Sequence, residues 1–155
     1  MFISSTVNSL DAKGRVSVPA SFRTQCSEAG FNGIIVWPSL DGAYLEGGDL
    51  SLLDYYKSAL DQMDMYDPGR EALELVIFGE SEKLNFDSTG RVSLPAKFRD
   101  YADLEGQVTF IGRGRKFEIW NSEAHEARKS ELREQARANR HRMAAVPLPT
   151  QGGGS

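Results

Sequence analysis

The chain has 155 residues, 40% hydrophobic and 26% charged, a globular composition with room for one compact domain or two very small ones. No stretch approaches the roughly 18–20 apolar residues of a membrane-spanning helix, and Met1-Phe2-Ile3-Ser4-Ser5-Thr6 lacks the charged and apolar regions of a signal peptide. Formal net charge is −4, which alone argues against a nucleic-acid partner, yet residues 41–80 hold ten carboxylates and two cations while residues 1–40 are net +1 and 81–155 net +3. A lone Cys26 excludes an internal disulfide and reads as a small apolar filler near a helix end, so a reducing cytoplasm is the expected compartment.

In chain order, Thr6, Val7 and Leu10 suit a first β-strand. Asp11-Ala12-Lys13-Gly14 makes a tight connection, because Asp11 can accept from nearby backbone amides and Gly14 can take the positive φ that closes a hairpin. Arg15-Val16-Ser17-Val18 alternates at period two and reads as the return strand. Pro19 cannot continue it but fits the first turn of a short helix that carries Ala20 and Phe22 toward a core. Two further strands are expected at about Gly33–Trp37 and Ala43–Glu46. Asp49 can cap a helix to about Tyr66, with Leu50, Leu53, Tyr56, Leu60 and Met63 at helical spacing; Asp67-Pro68-Gly69 breaks it before a second helix from about Arg70 to Phe78.

The chain then repeats itself. Leu10 to Arg23 recurs 76 residues later as Phe86 to Arg99, with nine of fourteen positions identical, among them Asp87, Gly90, Arg91 and Arg99. A second strand–loop–strand–helix unit follows from Leu84 and Phe86 onward, with strands at about Val108–Gly112 and Lys116–Trp120 joined by the glycine-rich turn Gly112-Arg113-Gly114-Arg115. A unit of fewer than 50 residues rarely buries enough apolar surface alone, so each copy is expected to complete the other's core. Asn121 or Ser122 can cap a last helix to about Met143, acidic in its first turn and basic in its last. The expected divisions are 1–50 and 81–122 for the repeats, 51–80 for an acidic helical connector, 123–144 for the terminal helix and 145–155 for a flexible tail.

Catalytic constellations are missing. His125 and His141 lie sixteen apart, neither at metal-pair spacing nor beside a nucleophile, and no Cys-x-x-Cys, phosphate-loop lysine or dinucleotide fingerprint occurs. No enzyme activity, cofactor, metal or small-molecule substrate is expected.

The twice-present Asp-x-x-Gly-Arg-Val-Ser-(Val/Leu)-Pro-Ala-x-Phe-Arg block resembles the MraZ family of the SpoVT-AbrB superfamily, as do Met1-Phe2, Lys116-Phe117-Glu118-Ile119-Trp120 and the helical stretch Ala72–Phe78. The resemblance implies an α+β fold in which two tandem swapped-hairpin repeats form one pseudo-symmetric β core with peripheral helices. It further implies a homo-oligomeric ring, nucleoid-associated in the cytoplasm, that regulates the division and cell-wall gene cluster by binding double-stranded promoter DNA with repeated short boxes. An antitoxin-like protein-interaction module is the alternative within the same superfamily.

Arg15 and Arg91 each stand four residues after an Asp. One reading is an ion pair, Asp11 with Arg15 and Asp87 with Arg91, that merely fixes the loop. The other is DNA contact, favoured because both copies keep Arg, whose planar fork of donors suits guanine O6/N7 edges or phosphate; Asp11, Gly14, Asp87 and Gly90 then orient the loops. Lys13 and Thr89 share one loop position and can reach phosphate by charge and by hydroxyl, or stand as solvated tips. Arg23 and Arg99 match superfamily positions that approach DNA, with helix-end pairing as the other reading. The run Arg128, Lys129, Arg133, Arg137, Arg140, Arg142 reads as a solvated face, with subunit packing or phosphate contact as alternatives.

Overall fold

The structure, a computed structural model, describes residues 1–144; the expected tail at 145–155 lies outside the described residues. Met1–Ser122 forms one compact unit and the chain from Glu123 a second. The first unit contains β1 (Ser5–Ser9), β2 (Arg15–Ser17), α1 (Ala20–Glu28), β3 (Gly33–Pro38), β4 (Leu45–Gly48), α2 (Leu50–Leu60), α3 (Pro68–Ile77), β5 (Glu82–Asn85), β6 (Arg91–Ser93), α4 (Ala96–Tyr101), β7 (Gln107–Gly112) and β8 (Phe117–Asn121). One helix, α5 (Ser122–Ala144), carries the described part of the second. Among the described residues no helix is long and apolar enough to cross a membrane.

The fold is α+β, as expected, and the repeats are interleaved. A six-stranded antiparallel sheet runs β1-β7-β8-β4-β3-β5, and β2 pairs with β6 in a separate ribbon. Exchanging the two copies (β1 with β5, β3 with β7, β4 with β8) maps this order onto itself reversed. The pseudo-two-fold axis passes between Val16 and Val92, the central pair of the ribbon, and between Glu46 and Glu118, the central pair of β4–β8.

The expected hairpins are therefore swapped rather than closed. Leu10 and Val16 form a single bridge, after which β1 leaves to pair with β7 of the other repeat and β2 with β6. The physical reason is the shared core. Val16, Val18, Val92 and Leu94 are all buried, with Phe2, Phe22, Phe98, Phe110 and Phe117, in one cluster to which both repeats contribute. Ladder bonds from β1 back to β2 would pull those valines away from each other.

Three elements differ from expectation by two residues or more, each for a local reason. α3 starts at Pro68 rather than Arg70, because Asp67 caps it by accepting from the Gly69 amide. β4 begins and ends two residues later than read, because Gly47 belongs to the strand: a Cβ there would sit 2.8 Å from both the Ile35 carbonyl and the Phe117 ring. α2 stops at Leu60 instead of Tyr66. Tight bonds from Gln62 to Ala59 and Met63 to Leu60 close its end, and Arg70 folds back to donate to the Met63 carbonyl and Asp61, each at 2.9 Å. Asp49 caps α2 as expected by accepting from the Ser51 amide.

Strand β3 is buried on both faces. Ile34 and Val36 join the main core, while Ile35 and Trp37 pack with Leu52 of α2 in a second cluster.

Candidate nucleic-acid interface

The ribbon places the two repeated arginines on one surface. Val16 and Val92 face the core, so by the period-two alternation Arg15, Ser17, Arg91 and Ser93 face the other way. Arg15 lies opposite Ser93 and Arg91 opposite Ser17, which sets the arginines on a diagonal with Cα atoms roughly 7–8 Å apart and Cβ atoms somewhat closer. Their side chains retain 36% and 33% exposure, open enough to meet a ligand yet anchored at the base.

That anchor is an Asp in each loop. Asp11 Oδ1 accepts from the Lys13 and Arg15 amides, and Oδ2 accepts from Arg15 Nε at 2.7 Å. Asp87 repeats this with Thr89 and Arg91, Nε at 3.0 Å, and also accepts from the Thr89 hydroxyl. Gly14 and Gly90 close the loops at φ +82 and +79, values costly for any other residue. Their carbonyls accept from Leu94 and Val18 of the opposite repeat. Thus the ion-pair reading of the loops is correct in geometry, and it engages only Nε. The terminal nitrogens of both guanidiniums hold no hydrogen bond among the described residues.

The amides and guanidiniums hold both carboxyls below the ordinary range. For Asp11 the Arg15 amide contributes most, against some opposition from burial; for Asp87 the Arg91 amide leads, with the Thr89 hydroxyl adding to it. Because both pKa values are depressed, the loop ordering they provide is complete above the unfolded value of about 3.9 and is lost only as pH falls through the folded values. Carboxyl-carbon NMR titration is expected to give midpoints below about 3.9 for both, and Thr89→Val to raise that of Asp87. An ordinary midpoint for either would mean that the loop bonds do not hold in solution.

The remaining expected residues are split between surface and scaffold. Lys13 is exposed and its ammonium carries no bond among the described residues, whereas the proton of its counterpart Thr89 is spent on Asp87. Arg23 Nη1 donates to the Val18 carbonyl, and Arg99 Nε donates to the Leu94 carbonyl at 3.1 Å. Each also lies beneath the other repeat's loop: a Cβ on Gly90 would meet Arg23, and one on Gly14 would meet Arg99, at 2.7 and 2.9 Å. The glycines thus serve twice, supplying the positive φ and leaving room for an arginine.

Sequence reasoning passed over Ser17 and Ser93, which share the arginines' face; the period-two alternation held that signal. It also missed an asymmetry between the loops. A depression beside loop 1 is lined by four carboxylates, Asp11, Asp100, Asp103 and Glu105, with Arg99, while that beside loop 2 has two, Glu28 and Asp87, with Arg23.

Comparison with known proteins gives one consistent likeness. Residues 77–146 match the family model described as "MraZ protein, putative antitoxin-like". The chain is 42% identical over 121 residues to a protein of Rickettsia bellii, covering 77% of this chain and 81% of that one. It is 39% identical over 137 residues to one of Caulobacter vibrioides, with 88% and 87% coverage. Over an aligned length of 159 residues it is 37% identical to one of Phenylobacterium zucineum, with 100% and 99% coverage. All three relatives bear the name "Transcriptional regulator MraZ".

Proposed function

The chain belongs to the MraZ family, and from that premise we propose that it is a sequence-specific DNA-binding transcriptional regulator whose reading element is the β2–β6 ribbon. The observation that carries this is the pair of arginines on one open face, each fixed at Nε with its terminal fork unbonded. Such a fork can donate both of its hydrogen bonds to guanine O6/N7, and a two-stranded ribbon fits a major groove. Their diagonal spacing is close to two base-pair steps at about 3.4 Å each.

Arg15, Arg91 and Lys13 touch DNA. Asp11, Gly14, Asp87 and Gly90 orient the loops, and Arg23 and Arg99 take the pairing reading through the Val18 and Leu94 carbonyls. Thr89, expected as a phosphate contact or a solvated tip, is assigned instead to holding Asp87. The protein acts in the cytoplasm at the nucleoid as a homo-oligomeric ring. It binds repeated promoter boxes upstream of the division and cell-wall gene cluster. One ribbon offers few contacts, and several ribbons on one assembly meeting several boxes gain by effective concentration. That accounts for an acidic protein binding a polyanion: the contacts are local and repeated.

Selection of random duplex DNA on the protein tests this. A short G-containing box, repeated at about one helical turn (10–10.5 base pairs), is expected. Recovery of unenriched sequence at physiological salt would remove the specific-binding reading.

The second reading, an antitoxin-like interaction module, is favoured by the acidic connector, where Met65, Tyr66 and Leu75 are exposed at 72%, 89% and 63%. It expects a basic protein to be captured through residues 41–80; a pull-down that recovers only the chain itself counts against it.

A further inference from the structure

Helix α5 sorts its charges. At 3.6 residues per turn, Lys129, Arg133, Arg137 and Arg140 fall within an arc of about 80° that no carboxylate after Glu126 enters: Glu131 and Glu134 fall outside it, as does Arg142. Every residue from Lys129 to Met143 is exposed, so no packing explains the helix there. A merely solvated helix gains from mixing signs around its circumference. This one instead places like charges four apart, at 129, 133 and 137, an arrangement that disfavours the helix until something neutralises it.

The stripe is also available. Lys129 pairs with Glu126 and Arg137 with Glu134, each at 2.9 Å, and both pairs are exposed and weak enough to exchange. Arg133 and Arg140 hold no hydrogen bond or ion pair among the described residues. The four cations span about 16 Å at 1.5 Å per residue, against duplex DNA that carries one negative charge per about 1.7 Å. A second copy's connector is the other acidic surface; its Asp61 and Glu74 are paired with Lys57 and Arg70, but Asp54, Glu71 and Glu80 hold no ion pair among the described residues. The even charge spacing of the duplex is therefore what favours DNA, and the assembly state is an outcome of the test. We infer that the Lys129–Arg140 stripe of α5 is a second, sequence-independent DNA contact that binds backbone phosphate. This rests on the DNA-binding reading and adds to it an affinity element distinct from the ribbon.

The test uses the full chain and R133Q/R137Q/R140Q, since Gln keeps the helix propensity while removing charge. Binding to a selected box duplex and to a random duplex of equal length is followed against salt. The variant is expected to lose affinity equally on both, with a slope of log K against log salt shallower by about 2.7 per engaged protomer, from about 0.9 per phosphate released. Its preference for the box over random DNA is unchanged. Parallel slopes with box binding intact overturn the stripe and leave the ribbon standing. So does a loss confined to the box, or a variant that sediments as a smaller assembly, which would assign the stripe to a second copy. A wild-type chain that retains no duplex at all overturns the ribbon and the stripe together.

Discussion

Replacing Arg15 and Arg91 together by alanine is expected to abolish retardation of a selected box in a gel-shift assay while sedimentation of the oligomer stays unchanged. Each well-placed bidentate arginine supplies about 1–3 kcal/mol of discrimination, so the pair removes roughly 2–6 kcal/mol per ribbon, or about 30-fold to more than 10⁴-fold in affinity. An assembly engaging several boxes multiplies that loss. The fold tolerates the change because the guanidiniums lie on the face away from Val16 and Val92 and form exposed ion pairs of little net worth. Asp11 and Asp87 keep their backbone amide partners, so the loops stay closed.

A lysine pair separates the two ways an arginine could act. Arg15→Lys with Arg91→Lys keeps charge and loses the fork. Reading of base edges predicts that binding to random duplex survives while box preference collapses. Phosphate contact alone predicts that both survive. Unchanged retardation by the alanine pair would detach the ribbon from DNA altogether.

How much of this could be read from the chain depends on whether the cause was local. The loops were legible because Asp, Gly and Arg at fixed spacing determine their own backbone: the Asp accepts from amides two and four residues on, and the Gly takes the positive φ. The duplication was legible, and with it the mutual completion of the core. The swap itself is a pairing choice between strands some 75–100 residues apart, and no local pattern in Ser5–Ser9 distinguishes a partner at Gln107–Ile111 from one at Arg15. It entered through family resemblance.

The role of Arg23 and Arg99 was hidden for the same reason. The sequence suggests a helix-end position for each, but Arg23 and Arg99 are the fourth residues of α1 and α4, and only the interleaving puts each under the glycine of the other copy. Gly47 misled the reading of β4 because a glycine usually weakens a strand, and its compensation, close approach of Phe117, comes from the other repeat.

The swap also creates a problem that no single repeat would have, and this gives the largest stability effect to be expected. At the axis, β4 and β8 bring Glu46 directly opposite Glu118, both buried, at 5% and 3% exposure. Like charges facing each other across a ladder are unfavourable unless each has its own counter-ion. Lys116 pairs with Glu46, and Arg113 with Glu118 at 2.8 Å, with Trp120 Nε1 also donating to Glu118. Burial works against the Lys116 ammonium, yet Glu46 outweighs it and holds the pKa above its usual value. The stabilisation from Lys116 is therefore complete below the unfolded value of about 10.4 and is lost as pH rises through the folded one.

Lys116→Met leaves Glu46 uncompensated beside Glu118 and is expected to cost about 3–5 kcal/mol in urea denaturation at pH 7. Glu46→Gln combined with Lys116→Met removes both charges and should return most of the stability, since replacing a buried pair by neutral groups is often close to neutral. A single substitution costing under about 1 kcal/mol would mean the facing carboxylates are solvated well enough to need no lysine. A double variant as weak as the single one would instead assign Lys116 to packing, through its stem and its contact with Tyr56.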